Sequence, residues 1–188
     1  MDLIKKSLEE WQGGIAKSIT FIVTKDCQLA CKYCYLVGKN AKERMSWNVA
    51  KKAIDYILSH EDEFKEESVV WDFIGGEPFL EIDLIDKICD YIKQELFRRN
   101  HHWFNSYRFS FSTNGINYAS EKVQRFIEKN KSHLSIGITI DGTRRKHDLN
   151  RIWKGDGPER GSYEDVVRNI PLWQSQFPGD GTKVTISS

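Results

Sequence analysis

Residues 107–115 read YRFSFSTNG. Tyr107, Phe109 and Phe111 alternate with Ser110, Ser112 and Asn114, the two-residue period of a β-strand with one apolar and one small, polar face. The pattern recurs to either side. Leu134, Ile136, Ile138 and Ile140 oppose Ser135, Gly137, Thr139 and Asp141. Ile19, Phe21 and Val23 oppose Ser18, Thr20 and Ile22, and Val184 and Ile186 oppose Thr185 and Ser187. With an apolar run near 68–74, these stretches predict five strands, at about 18–24, 68–74, 106–113, 134–141 and 182–188.

Helical spacing fills the intervals. A first helix starts at Ser46, an N-cap residue type, with Val49, Ala53, Ile54 and Ile57 on one face. A second, from about Leu80, carries Leu84, Ile85, Ile88, Cys89 and Ile92 as its apolar stripe. Cys89 within that stripe reads as a small buried hydrophobe. A third covers about 120–130, with Val123, Phe126 and Ile127. A fourth starts at Ser162, where Ser162 and Asp165 form a capping-box pattern and Pro171 ends or kinks the helix. Strands alternating with helices predict an α/β fold with a parallel sheet. A parallel sheet covered on both faces reads as continuous hydrophobics. Here the second face is too polar for a packed barrel interior, which predicts a curved sheet whose concave face lines a ligand cavity. An antiparallel sheet with one wet face would give the same alternation; the helices between the strands argue against it.

Four motifs follow, or sit at, the C-terminal ends of predicted strands, the edge at which parallel α/β sheets bind ligands. They are KDCQLACKYCYL at 25–36, GGEP at 75–78, STNG at 112–115 and TIDG at 139–142. The first holds three of the four cysteines, Cys27, Cys31 and Cys34. Three thiolates can hold three corners of a 4Fe–4S cluster, leaving one iron open to another ligand. The same residues could serve a structural zinc site, which needs a fourth ligand, and the nearest histidine in sequence is His60. A disulfide with a spare thiol is the third option. The N-terminal MDLIKKSLEE lacks the apolar core of a signal peptide. This points to a reducing, cytoplasmic setting in which clustered cysteines serve metal binding or catalysis.

The cysteine spacing x3 then x2, an aromatic before the third cysteine, and GGEP, STNG and TIDG in that order resemble the radical S-adenosylmethionine (SAM) superfamily. The stretch DGTRRKHDLNR (Asp141–Arg151) followed by RGSY (Arg160–Tyr163) is similar to its peptide- and protein-modifying branch, which includes anaerobic sulfatase maturases and ribosomal-peptide maturases. Thr143 stands where relatives often have proline, and Thr139 where a serine is common. The resemblance implies a partial TIM-type (β/α)6 barrel, here stopping after the fifth strand, with residues 1–17 a lead-in and 18–188 an incomplete core domain. It implies a 4Fe–4S cluster on Cys27, Cys31 and Cys34, and SAM as second cofactor. SAM would be cleaved reductively to a 5′-deoxyadenosyl radical that takes hydrogen from a peptide or protein substrate, with cross-linking or side-chain oxidation as outcomes. The implied SAM contacts are Tyr33 near the adenine; Gly75, Gly76 and Glu77 at the methionine amino group; Ser112, Asn114, Thr139 and Asp141 at the ribose or carboxylate; and Arg160, with Arg151 second, at the carboxylate. No catalytic acid or base is implied. His147 and Asp148 read as loop-fixing residues.

The resemblance further implies a reductase, flavodoxin or ferredoxin as electron donor. It also leads one to expect a C-terminal extension with auxiliary-cluster cysteines of the SPASM type, absent from these 188 residues, and hence weak turnover by this chain. An RNA or small-molecule substrate is the alternative within the family, and a colourless zinc module the alternative outside it. Twenty-eight basic and 27 acidic residues give a net charge of +1, which is no nucleic-acid footprint. No apolar run approaches the ~20 residues of a membrane span. KEESVV and RRNHH read as solvated helix ends or loops.

Overall fold

The computed structural model describes residues 16–155, 159–182 and 184. Four strands, β1 (Ala16–Thr24), β2 (Ser68–Gly75), β3 (Tyr107–Thr113) and β4 (Leu134–Ile138), form one sheet in chain order. Every pairing is parallel, which removes the antiparallel alternative. Helices α1 (Trp47–Ser59), α2 (Ile82–Arg98) and α3 (Glu121–Asn130) make the crossovers, and short helices α4 (Arg144–Asn150), α5 (Tyr163–Val167) and α6 (Ile170–Gln176) follow β4. The predicted fifth strand falls largely outside the described residues.

The alternation reads through to the packing. Phe21 and Val23, then Val69, Trp71 and Phe73, then Phe109 and Phe111, and Leu134, Ile136 and Ile138 are all buried under the helices. Their rings stack across the strands, Phe21 on Phe73 at 5.7 Å and Phe73 on Phe111 at 5.2 Å between centroids. The other face carries Thr20, Asp72, Ser110 and Ser135 in one matched row across all four strands.

Ser46 caps α1, its hydroxyl accepting from the Val49 amide. Val49, assigned to the apolar face, is exposed, and Ala50, Ile54, Ile57 and Leu58 are buried instead. Val49 lies about 100° around the helix from the buried Ala50, off the stripe that Ala50, Ile54, Ile57 and Leu58 form. In α2, Ile85, Ile88, Cys89 and Ile92 are fully buried, as the stripe predicts. Before it, Pro78 opens a 3₁₀ turn, Pro78–Glu81, where its missing N–H costs nothing. The Ser162–Asp165 capping box does not form. The Ser162 hydroxyl donates to the Arg151 carbonyl at 2.8 Å, and Asp165 takes the Trp153 indole N–H at 2.9 Å. Tertiary partners thus outcompete the local cap. Pro171 sits in the first turn of α6, so the predicted kink is a break into two short helices.

Candidate active site

The cysteine loop leaves β1 and is held on three sides. Toward β2, the Gly76 amide donates to the Thr24 carbonyl at 2.8 Å and the Glu77 amide to Asp26 at 2.9 Å. A Cβ on Gly76 would lie 2.1 Å from the Asp26 carbonyl oxygen, and one on Gly75 would lie 2.3 Å from that of Thr24. The space these glycines leave open is therefore filled by the loop's own backbone. On the second side, the Lys25 amide donates to Glu43 and the Asn40 amide to Lys25. On the third, the loop pairs antiparallel with the segment after α4: Ala30 N–H to the Ile152 carbonyl, Lys32 to Asn150 and Lys154 to Gln28, at 2.8–3.0 Å. Leu29, 2% exposed, is the apolar pin of this pairing.

All three loop cysteines are free thiols, so the disulfide option does not apply. A structural zinc takes four ligands, whereas three thiolates suffice for a cluster with one open iron, so a loop that supplies three sulfurs fits the cluster better. Cys27 Sγ accepts from the Leu29 amide at 3.3 Å and from the Asn114 side-chain amide at 3.7 Å, the kind of N–H···S contact that tunes such a centre. Burial, with the Glu77 carboxylate adding to it, pushes the Cys27 thiol up to about 12. Burial likewise raises Cys31, opposed by Arg151. Cationic iron held by these thiols would reverse that preference, and loading the site would release protons.

Glu77 is buried, and its carboxylate is fully engaged. Oε1 accepts from the Thr113 hydroxyl at 2.6 Å and the Phe79 amide at 3.1 Å, and Oε2 from the Asn114 amide at 2.8 Å. Burial raises its pKa against these three donors. The residue therefore latches the C-terminal ends of β2 and β3 together beneath Cys27. Asn114 closes its own turn, Oδ1 accepting from Ile116 N–H at 2.9 Å, while its NH₂ reaches Gln28 at 3.2 Å as well as Cys27. Gly115 at φ +78° makes that turn possible. Ser112 and Thr139 are half-buried at the same strand ends, Thr139 bonded through its amide to the Thr113 carbonyl.

A second group lies across the cysteine loop from this latch. Tyr33 donates its hydroxyl proton to Asp141 and accepts from Arg151 Nη1 at 2.8 Å. Burial works against the Arg151 charge, but Cys31, Tyr33 and Asp141 outweigh it and hold the guanidinium above its usual pKa. Arg151 Nε is buried without a hydrogen-bond partner. His147, fully buried, sets this group from behind: Nδ1 accepts from the Asp141 amide at 3.3 Å and Nε2 meets the Ser162 hydroxyl at 3.0 Å. Asp148 takes the Tyr163 amide at 2.9 Å and fills the space beside Gly161. Both residues fix the loop, as the sequence suggests. Arg160 lies elsewhere, solvent-exposed, its Nη2 on Asp165 at 2.7 Å and its guanidinium over the Trp153 ring.

The structure thus brings Cys27, Cys31, Tyr33, Glu77, Asn114, Asp141 and Arg151 into one connected rim and leaves Arg160 at its edge. Sequence reading missed Thr113 as the residue that orients Glu77, and took His147 as loop-fixing without its bond to Asp141. Thr113 sits on the apolar side of its strand's alternation, and a lone histidine carries no motif signal. No helix among the described residues is long and apolar enough to cross a membrane.

Comparison with known proteins agrees with this fold. The radical SAM superfamily profile matches residues 21–186. An uncharacterized protein of Methanocaldococcus jannaschii is 33% identical over 161 residues, covering 83% of this chain and 51% of that protein. Among solved structures, anSMEcpe with bound AdoMet and the Cp18Cys peptide superposes with a TM-score of 0.65 at 22% identity, over 87% of this chain and 41% of that one. The same protein with AdoMet alone gives 0.68 at 20% identity, over 87% and 42%. The chain therefore spans about half the length of its curated relative and about two fifths of these structures.

Proposed function

The chain belongs to the radical SAM superfamily, whose cofactors are a 4Fe–4S cluster and SAM, and we propose that it is the core of an enzyme acting on a peptide or protein. When bound, these cofactors supply reductive cleavage of SAM to a hydrogen-abstracting radical. The chain's own residues bind, orient and shield. Cys27, Cys31 and Cys34 hold the cluster. Tyr33, Asp141 and Arg151 form the SAM side of the rim, with Ser112, Asn114 and Thr139 at the neighbouring strand ends. Arg151, buried beside Cys31 with one N–H unpartnered, suits a carboxylate better than exposed Arg160, whose charge is already paired. Gly75, Gly76 and Glu77 act first by locking the cysteine loop to β2 and β3; the amino group of SAM would meet the exposed edge of that turn.

The observation that carries this reading is a loop of three free thiols at the C-terminal edge of a parallel sheet, with a buried arginine, Arg151, acting on Cys31. The likeness to a peptide-bound structure supports the substrate class, and the balanced charge counts against RNA. The electron comes from a reductase, flavodoxin or ferredoxin. Incubating anaerobically reconstituted protein with SAM, reductant and a panel of cysteine-containing peptides tests the proposal. Formation of 5′-deoxyadenosine that rises with a peptide supports it. A rise only with RNA or a small molecule overturns the substrate class.

A further inference from the structure

At the opposite edge of the sheet, the ligand atoms of Glu61, His101 and His102 lie within 4.8 Å of one another. Glu61 follows α1, and the two histidines precede β3, within the RRNHH stretch that sequence reading assigned to solvated loop. We propose that this triad is a second metal site, for a divalent ion of the zinc class, at which imidazole and carboxylate are the preferred donors.

Each histidine presents one nitrogen. His102 Nε2 lies 3.1 Å from the Glu66 carbonyl, which can only accept, so Nε2 carries the proton and Nδ1 keeps its lone pair. That Nδ1 faces the Glu61 carboxylate at 3.6 Å. A histidine ligand whose far N–H is anchored on a backbone carbonyl is the usual arrangement behind a metal. His101 is 2% exposed, its ring 4.5 Å from that of His102 between centroids. Its Nδ1 accepts from the Trp103 amide at 3.2 Å, and its Nε2 is buried without a partner. A buried polar nitrogen left unmatched costs free energy unless a ligand meets it. Coordination at Nε2 moves the ring proton to Nδ1 with no net proton released by His101; the long bond from Trp103 is lost, and the ring and the Trp103 amide must move apart because both then present N–H donors.

Tetrahedral ligands at ~2.0–2.1 Å from zinc stand about 3.4 Å apart, so the triad must contract. The two imidazoles are stacked at 22°, so the exposed His102 ring must tilt to bring one ion into both ring planes, while Glu61, exposed on a loop, swings in and water completes the shell. The ion would tie the loop after α1 to the turn before β3, pinning the N-terminal ends of β2 and β3. That edge of a parallel sheet serves stability, and the site is remote from the cysteine rim.

The test uses cluster-loaded protein. Zn²⁺ is titrated in by calorimetry, bound zinc is counted after desalting, and the thermal midpoint is followed. One zinc per chain beyond the cluster and a raised midpoint are expected. His102→Ala and Glu61→Gln, both at exposed positions, should each weaken binding by ~100-fold or more. The triple variant Cys27→Ala/Cys31→Ala/Cys34→Ala, compared with cluster-free wild type, should keep the histidine-site zinc. Zinc binding equal in His102→Ala and wild type, or lost in the cysteine variant, would overturn the proposal.

Discussion

Gly76→Ala is the sharpest single perturbation of the rim. The added Cβ would lie 2.1 Å from the Asp26 carbonyl oxygen, 2.6 Å from its carbon and 2.7 Å from the Lys25 oxygen. All three are backbone atoms, so no side chain can step aside. Relief needs the loop to retreat by about an ångström, which breaks the bonds from Gly76 to Thr24 and from Glu77 to Asp26. Two hydrogen bonds are worth ~1 kcal/mol each, and overpacking adds ~1–3 kcal/mol. The expected loss is about 3–5 kcal/mol, with Cys27 displaced from Asn114. Urea unfolding of the cluster-free protein measures the first, and iron retained after reconstitution the second. Gly179→Ala is the control, since a Cβ there meets nothing within 4 Å; it should be neutral or slightly stabilising. A Gly76→Ala protein within ~0.5 kcal/mol of wild type that keeps its full iron would refute the view that these glycines exist to seat the cysteine loop.

Glu77→Gln places an NH₂ opposite a backbone N–H, Phe79 or Asn114, in either amide orientation. It should cost ~1–3 kcal/mol by urea denaturation. Cys89→Ala removes a buried sulfur from α2 far from the rim; it should cost ~1–2 kcal/mol and leave iron content unchanged, whereas Cys27→Ser should abolish a stable cluster. Burial, helped by the nearby Arg151 charge, lowers the pKa of His147 in the folded state. Its contribution to stability is therefore present above the unfolded value of ~6.5 and is lost as the pH falls below it. Urea midpoints at about pH 8 and pH 5.5, bracketing that value, should differ less in His147→Gln than in wild type.

Three of the first four strands were legible from apolar alternation, with Phe21, Phe109 and Phe111 on the predicted inner face, and β2 was legible as an apolar run. Helices α1 to α3 follow from spacing for the same reason. Helix α4 was missed: RRKHDLN has no apolar stripe, and what holds it is a polar residue, His147, packed through hydrogen bonds. The motifs lie together at one edge of the sheet, but their internal division of labour was not legible. Whether Gly76 faces a ligand or a neighbouring strand depends on what β1 does fifty residues earlier. Whether Asp165 caps its own helix or receives Trp153 and Arg160 depends on how the loop returns. Arg151 and Arg160 are equivalent as letters; burial alone distinguishes them.

The central claim is that Cys27, Cys31 and Cys34 hold an iron–sulfur cluster with one iron open to SAM. The direct measurement is iron and sulfide content of the anaerobically reconstituted protein, with the EPR spectrum of its reduced form recorded with and without SAM. About four irons per chain and a spectrum that shifts on adding SAM are the predicted result. Zinc on the three thiols, or a spectrum indifferent to SAM, would contradict the account.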